Sequence, residues 1–237
     1  MSPTHQLDQF TGDPLPDPYL YRRCIGALQY ACLTRPDLAY AVNKLSQYMS
    51  APTDIHWQAC KRVLRYVKDT LNQGLLLVPS STTSLQVFTD ADWAGDQSDR
   101  RSTNGFAAYL GKNLISWTSK KQHTVARSST EAEYRSVANA AAEIIWLQSL
   151  LREIGHTVRQ PVVIWCDNLG AAFLSLNPVF KARTKHIECD YHFVREQCSQ
   201  GKLTVQYIST TDQIADIFTK PLPTARFSSL KAKLQVL

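Results

Sequence analysis

The feature that most constrains this chain is an unbroken apolar run, Val162–Cys166, that ends directly on an acid, Asp167. A strand with no polar alternation must be covered on both faces, as an interior strand of a helix-flanked sheet is. An acid at the carboxyl end of such a strand lies where open α/β sheets place their chemistry. Neither this run nor Gly74–Pro79 approaches the roughly 20 apolar residues needed to cross a bilayer, so no membrane partner is expected.

The hydrophobic period changes once along the chain. Before Pro79 it is helical. Tyr19–Leu33 is predicted as a helix, followed by one from Asp37 to Met49 with Leu38, Val42, Leu45 and Met49 on one face. Thr53 or Asp54 caps a third helix, to about Asn72. Pro79-Ser-Ser-Thr-Thr-Ser84 reads as a linker. Strands follow at Leu85–Trp93, Gly105–Leu110 and Asn113–Ser119, then a long helix over Ser129–Ile154. Beyond the apolar strand come helices over Asn168–Leu176 and Ile187–Ser199, a strand over Leu203–Ile208, and helices over Asp212–Thr219 and Ala225–Leu237. This order implies an α/β layer with helices packed on a mixed sheet. The expected division is an irregular segment 1–18, a helical segment 19–79, the linker 80–84, a main domain 85–222 and a helical tail 223–237.

Four acids fall at positions that matter. Alternation on the first strand puts Phe88, Asp90 and Asp92 on one face. Asp167 ends the apolar strand, where it would also serve as a helix N-cap. Glu131 and Glu133 open the long helix two residues apart, about 200° around its axis, so only one can face the sheet. Glu131 has the capping-box spacing from Ser128 and lies four residues before Arg135, a favourable surface pair. Glu133 instead precedes Val137, Ala140 and Ile144 at helical spacing, so it is the one expected to turn inward. Asp216, taken alone, reads as an ordinary solvent-facing acid. An inward carboxylate beside Asp90 and Asp167 is costly unless a cation neutralises it. Carboxylates without Cys or His ligands suit hard cations, Mg²⁺ or Mn²⁺, and four of them suffice for two ions of the kind that serve phosphodiester cleavage. A zinc site at His186, Cys189, His192 and Cys198 is disfavoured, because the first three step along a helix face by threes. The six cysteines, mostly within apolar stretches and without a C-x-x-C, suit buried thiols in a reducing compartment. The polar, Pro-rich N-terminus has no signal-peptide pattern, so an intracellular protein, cytoplasmic or nuclear, is expected.

The net charge is +6, from 26 basic and 20 acidic residues, and it is clustered. From Arg100 to Thr130 there are Arg100, Arg101, Lys112, Lys120, Lys121 and Arg127 and no acid. Lys181, Arg183, Lys185 and His186 form a second cluster. Lys61, Arg62, Arg65 and Lys68 line one side of the third helix. Three clusters together point to a polyanionic partner.

Six blocks then recur in order: Phe88-Thr-Asp-Ala-Asp-Trp-Ala-Gly95, Ser116-Trp-Thr-Ser-Lys-Lys-Gln122, Ser128-Ser-Thr-Glu-Ala-Glu-Tyr134, Trp165-Cys-Asp-Asn168, Thr184-Lys-His-Ile-Glu188 and Ala215-Asp-Ile-Phe-Thr-Lys-Pro-Leu222. They resemble the ribonuclease H domain of copia-type LTR-retrotransposon polyproteins, the plant members above all. Ile25-Gly-Ala-Leu-Gln-Tyr30, Thr34-Arg-Pro-Asp-Leu-Ala39, His56-Trp57 and Lys61-Arg-Val-Leu-Arg-Tyr66 resemble the reverse-transcriptase thumb and connection of the same family. The resemblance implies a five-stranded mixed sheet in the order 3-2-1-4-5 with helices on both faces. It also implies a metal site of Asp90, Glu133, Asp167 and Asp216. Asp92 is a candidate to assist Asp90. His186 is a candidate replacement for the loop histidine of cellular ribonucleases H, which 208–213 lacks.

The expected function is metal-dependent cleavage of the RNA strand of RNA–DNA hybrids with two Mg²⁺ (Mn²⁺ substituting). Lys120, Lys121, Arg127, Arg183 and Lys185 are the candidate hybrid contacts, and Lys61, Arg65 and Lys68 would grip the duplex. No Tyr-Val-Asp-Asp-like polymerase motif occurs, so the chain reads as a fragment or derivative whose partner is the missing polymerase portion. The rival reading is a catalytically silent nucleic-acid-binding or subunit-docking module. A D-D-E integrase is disfavoured by acid order, since the Glu comes second here.

Overall fold

Val162–Cys166 forms a strand with parallel neighbours on both sides, which is why it carries no polar alternation. The computed structural model describes residues 7–8, 10–158, 161–176 and 188–237. Its strands are β1 (Leu85–Asp92), β2 (Thr103–Leu110), β3 (Asn113–Lys121), β4 (Val162–Cys166) and β5 (Leu203–Tyr207). They form one sheet in the order β3-β2-β1-β4-β5, as the resemblance implies. The β1–β2 and β2–β3 pairs are antiparallel, and β1–β4 and β4–β5 are parallel.

Helices cover both faces. On one face lie α4 (Ser129–Glu153), α5 (Leu169–Leu176) and α6 (Glu188–Ser199). There Val87, Ala108, Ile164 and Val205 of the sheet pack with Val137, Ala141, Ile144 and Val194. Each fully buried Val or Ile among them contributes roughly 1.5–3 kcal/mol. The other face, with Ala107, Tyr109 and Leu114, packs against Ile217 and Phe218 of α7 (Asp216–Thr219) and Leu230 of α8 (Thr224–Lys233). Among the described residues no helix is long and apolar enough to cross a membrane.

The N-terminal helices are α1 (Tyr19–Ala31), α2 (Ala39–Ser46) and α3 (Asp54–Asp69), with their own core of Tyr21, Ile25, Leu45, Cys60 and Val63. They lean on the sheet domain. The Trp117 indole N–H donates to Cys32 O at 3.2 Å, and α2 lies against β3 and α7. Residues 80–84 carry neither helix nor strand.

Several element ends differ from the sequence reading. The helix expected over Asp37–Met49 is a 3-10 turn, Pro36–Leu38, followed by α2. There the Asp37 carboxylate is taken by Arg35, at 2.9 and 2.8 Å, and by the Tyr66 hydroxyl at 2.7 Å. The helix expected from Asp212 begins only at Asp216. Before it the Gln213 amide donates to Thr89 O, while Arg226 donates to the carbonyls of Thr210, Thr211 and Gln213. The last helix ends at Lys233, short of Leu237, because Leu237 exchanges hydrogen bonds with Gly74 and Val236 pairs with Leu75.

Candidate metal centre

The site forms where β1 and β4 end beside the start of α4 and the whole of α7. Alternation along β1 turns Thr89 toward α4, where its hydroxyl meets Ser136 Oγ at 2.7 Å, and Asp90 toward α7. Asp90 is buried, and its Oδ2 accepts a hydrogen bond from the Thr219 hydroxyl. The two glutamates separate as helical geometry requires. Glu131 stays outward, pairing with Arg135 at 2.8 Å and accepting from the Arg127 N–H. Glu133 is buried, accepts from the Ala91 N–H at 3.2 Å and receives the Cys166 thiol at 3.7 Å.

Asp167 follows β4 and accepts from the Thr210 hydroxyl at 3.0 Å. The cap of α5 is not Asp167: Asn168 Oδ1 accepts from the Ala171 N–H at 3.0 Å. That leaves the Asp167 carboxylate for the site. Asp216 is buried at the start of α7, not solvent-facing as its sequence context suggested. Its oxygens are 2.9 Å from Lys220 Nζ and 3.4 Å from Arg226 Nη2.

The four carboxylates converge as two overlapping groups that share Asp167. Asp90, Asp167 and Asp216 offer oxygens within 4.8 Å of one another, and Glu133, Cys166 and Asp167 form a second group within the same span. Burial, reinforced by Asp216 and Asp167, pushes the Asp90 carboxyl up to about 6 against the pull of Lys220. Burial with Asp90 and Asp167 nearby raises Glu133 well above its ordinary value. For Lys220 burial favours loss of the proton, but Asp90 and Asp216 outweigh it and hold the ammonium charged. An oxygen-rich cluster that already draws an ammonium between two of its members fits a hard divalent cation.

The other candidates fall at varied distances from this centre. Asp92 lies at the end of β1, half-buried, with its carboxyl pushed up by burial, and belongs to neither carboxylate group. Lys120 and Arg127 are exposed. Lys121 instead is engaged by Asp96 and Asp99, at 2.8 and 2.9 Å. Lys61, Arg65 and Lys68 are exposed along α3 and line a shallow groove with Gln58 and Leu64. Arg183, Lys185 and His186 lie outside the described residues. Sequence reasoning did not single out Thr219, Lys220, Arg226 or Cys166 as members of the site. The one available signal was the spacing of Lys220, four residues after Asp216.

The strand order and the acids gathered at its centre define a ribonuclease H-like α/β domain. No protein-family model matches the chain. It is 54% identical over its full length to the retrovirus-related Pol polyprotein from transposon RE2 of Arabidopsis thaliana, and 52% identical to that from transposon RE1. It is 40% identical, over 89% of its length, to the Pol polyprotein from transposon TNT 1-94 of Nicotiana tabacum. These relatives are retrovirus-related Pol polyproteins of plant copia-type transposons, matched at 40–54% identity, and the chain spans 16% of the length of each of them. In structure it is similar to the foamy viral protease-reverse transcriptase dRH in complex with double-stranded DNA. The TM-score is 0.52 at 12% identity, covering 84% of this chain and 33% of that one. At that identity the likeness concerns the fold alone.

Proposed function

We propose that this chain is the ribonuclease H part of a retrotransposon Pol protein, a nuclease that cuts the RNA strand of RNA–DNA hybrids. The observation that carries the reading is the convergence of Asp90, Asp167 and Asp216 within 4.8 Å, with Glu133 joined through Asp167. Asp90, Glu133, Asp167 and Asp216 would hold two Mg²⁺ ions, with Mn²⁺ as a substitute. When bound, such ions neutralise charge on the scissile phosphate and lower the pKa of an attacking water.

The chain's own residues prepare that site. The Thr219 hydroxyl orients Asp90, the Thr210 hydroxyl orients Asp167, and the Ala91 N–H orients Glu133. Arg226 ties Asp216 to the 210–213 loop through three carbonyls. Side chains held this way lose little further freedom when a cation or phosphate arrives. Lys120 and Arg127 from the sheet domain, Arg183 and Lys185, and Lys61, Arg65 and Lys68 of α3 are the proposed backbone contacts. Selection of RNA would come from its 2′-hydroxyls. The reverse-transcriptase portion of the polyprotein is the proposed partner. Six free cysteines suit work inside the cell, in cytoplasm or nucleus.

The test is cleavage of a labelled RNA–DNA hybrid by the full chain with Mg²⁺, beside Asp90→Asn. Metal-dependent cutting by the wild type alone is the expected result. Hybrid binding with no cutting by either would replace this reading with a silent nucleic-acid-binding module.

A further inference from the structure

Lys220 stands at the C-terminal end of α7, and its ammonium lies 2.9 Å from Asp216 Oδ1 and 3.6 Å from Asp90 Oδ2. Those are two of the three carboxylates whose oxygens converge within 4.8 Å. An ammonium ion-paired with two carboxylates occupies the space a divalent cation needs in order to touch the same oxygens, since Mg²⁺ binds them at about 2.0–2.1 Å. Both cations cannot hold these positions at once, because like charges at such separations repel.

The same side chain has somewhere to go. Lys220 is 32% exposed and also lines a cleft of about 970 Å³ between α2 and α3 on one side and α7 and α8 on the other. Arg62, Tyr66, Phe227 and Lys231 share its walls. A flexible four-carbon stem rooted at the end of a helix can swing from the carboxylates into this open space without moving the backbone.

We infer that Lys220 is the internal counter-ion of the metal centre. It neutralises Asp90 and Asp216 while no divalent cation is bound, and cation binding expels its ammonium into the adjoining cleft. The inference rests on the metal-centre reading above. Lys220 is a positioning residue in this account: it keeps like-charged carboxylates together before loading, and it sets how tightly the centre holds its ion.

The experiment is a Mn²⁺ titration of the full chain, without nucleic acid, in which free Mn²⁺ is read by electron paramagnetic resonance. Lys220→Met removes the competing charge and should bind Mn²⁺ roughly tenfold more tightly than wild type, as expected for losing one repelling unit charge at a partly exposed site. Lys220→Arg keeps the charge and should bind no more tightly than wild type. Equal or weaker binding by Lys220→Met overturns this inference and leaves the metal centre standing. No Mn²⁺ binding by any of the proteins overturns both. Should Lys220→Met fail to fold, the wild type still decides. Acylation of Lys220 by an amine-reactive ester, quantified by mass spectrometry, should rise severalfold when Mn²⁺ is added. Unchanged or reduced reactivity overturns the inference.

Discussion

Lys44 of α2 places its ammonium 2.8 Å from Asp96 Oδ2, in the loop after β1, and so fastens the N-terminal helices to the sheet domain. Lys121 of β3 reaches the same oxygen, also at 2.8 Å. Asp96 is buried, and the Ser98 N–H donates to its other oxygen at 2.9 Å. Burial alone would push its carboxyl up, but the hydrogen bonds from Lys121 and Lys44 prevail and hold it well below the usual range. Asp96→Asn leaves two ammonium groups facing a neutral amide. Because both lysines are partly exposed, the expected loss is about 2 kcal/mol, below that for a fully buried pair. A depressed folded pKa means that this stabilisation is complete above the unfolded carboxylate value, about 4. It is lost as the pH falls toward the folded value. Urea unfolding of wild type and Asp96→Asn should therefore differ at pH 7 and converge in acid.

The metal centre has the opposite sign. A carboxyl raised to about 6, as Asp90 is, binds a proton more readily in the folded chain than in the unfolded one. Without divalent cations, stability should then fall as the pH rises from about 4, the unfolded value, to about 6. Asp90→Asn should reduce this slope, leaving the share that the raised Glu133 carboxyl contributes, and raise the stability of the metal-free chain at pH 7 by about 3 kcal/mol, while abolishing cleavage. Thermal unfolding in EDTA across this pH range reads both effects. A steeper slope in Asp90→Asn than in wild type would show that Asp90 is not the source.

Glu133 and Asp167 were legible in the sequence because local geometry decides them. Helical spacing separates Glu133 from Glu131, and an apolar strand ends at Asp167. Asp216 was named only by the resemblance and not by local geometry, since its burial comes with Thr219, Lys220 and Arg226, and the packing of α7 on β1 and β2 brings that group to Asp90. The Asp96 clasp was hidden for the same reason: Lys44 lies 52 residues earlier, and its own helix gives no sign of a partner. The Lys121 ammonium read as a phosphate contact because a sequence shows charge but not its pairing. Helix ends shifted where side chains such as Gln213 and Arg226 took backbone groups that a continued helix would have used.

Gly105 shows how tightly α7 is seated. A Cβ there would fall 2.5 Å from Phe218 Cβ and 3.0 Å from Thr219 Cγ2. Gly105→Ala therefore overpacks the contact between β2 and α7, at an expected cost of about 1–3 kcal/mol. Relief must come from moving α7, which carries Asp216 and the Thr219 hydroxyl. Mn²⁺ affinity should fall along with stability, whereas an overpacking change remote from the site would lower stability alone. Calorimetry and metal titration on the same preparation distinguish the two.

Asn168 and Asp167 are neighbours with separate work, and that separation can be measured. Asn168 Oδ1 caps α5 through the Ala171 N–H, so Asn168→Ala should cost about 1 kcal/mol. It should leave Mn²⁺ affinity little changed, since Asn168 belongs to neither acidic group. Asp167→Asn removes the carboxylate common to both acidic groups while leaving the cap in place. Hybrid cleavage should then drop on the order of 10²-fold or more, with little change in urea midpoint. If instead Asp167→Asn unfolds the chain and Asn168→Ala abolishes cation binding, Asp167 is the structural residue of the pair and the shared-carboxylate account fails.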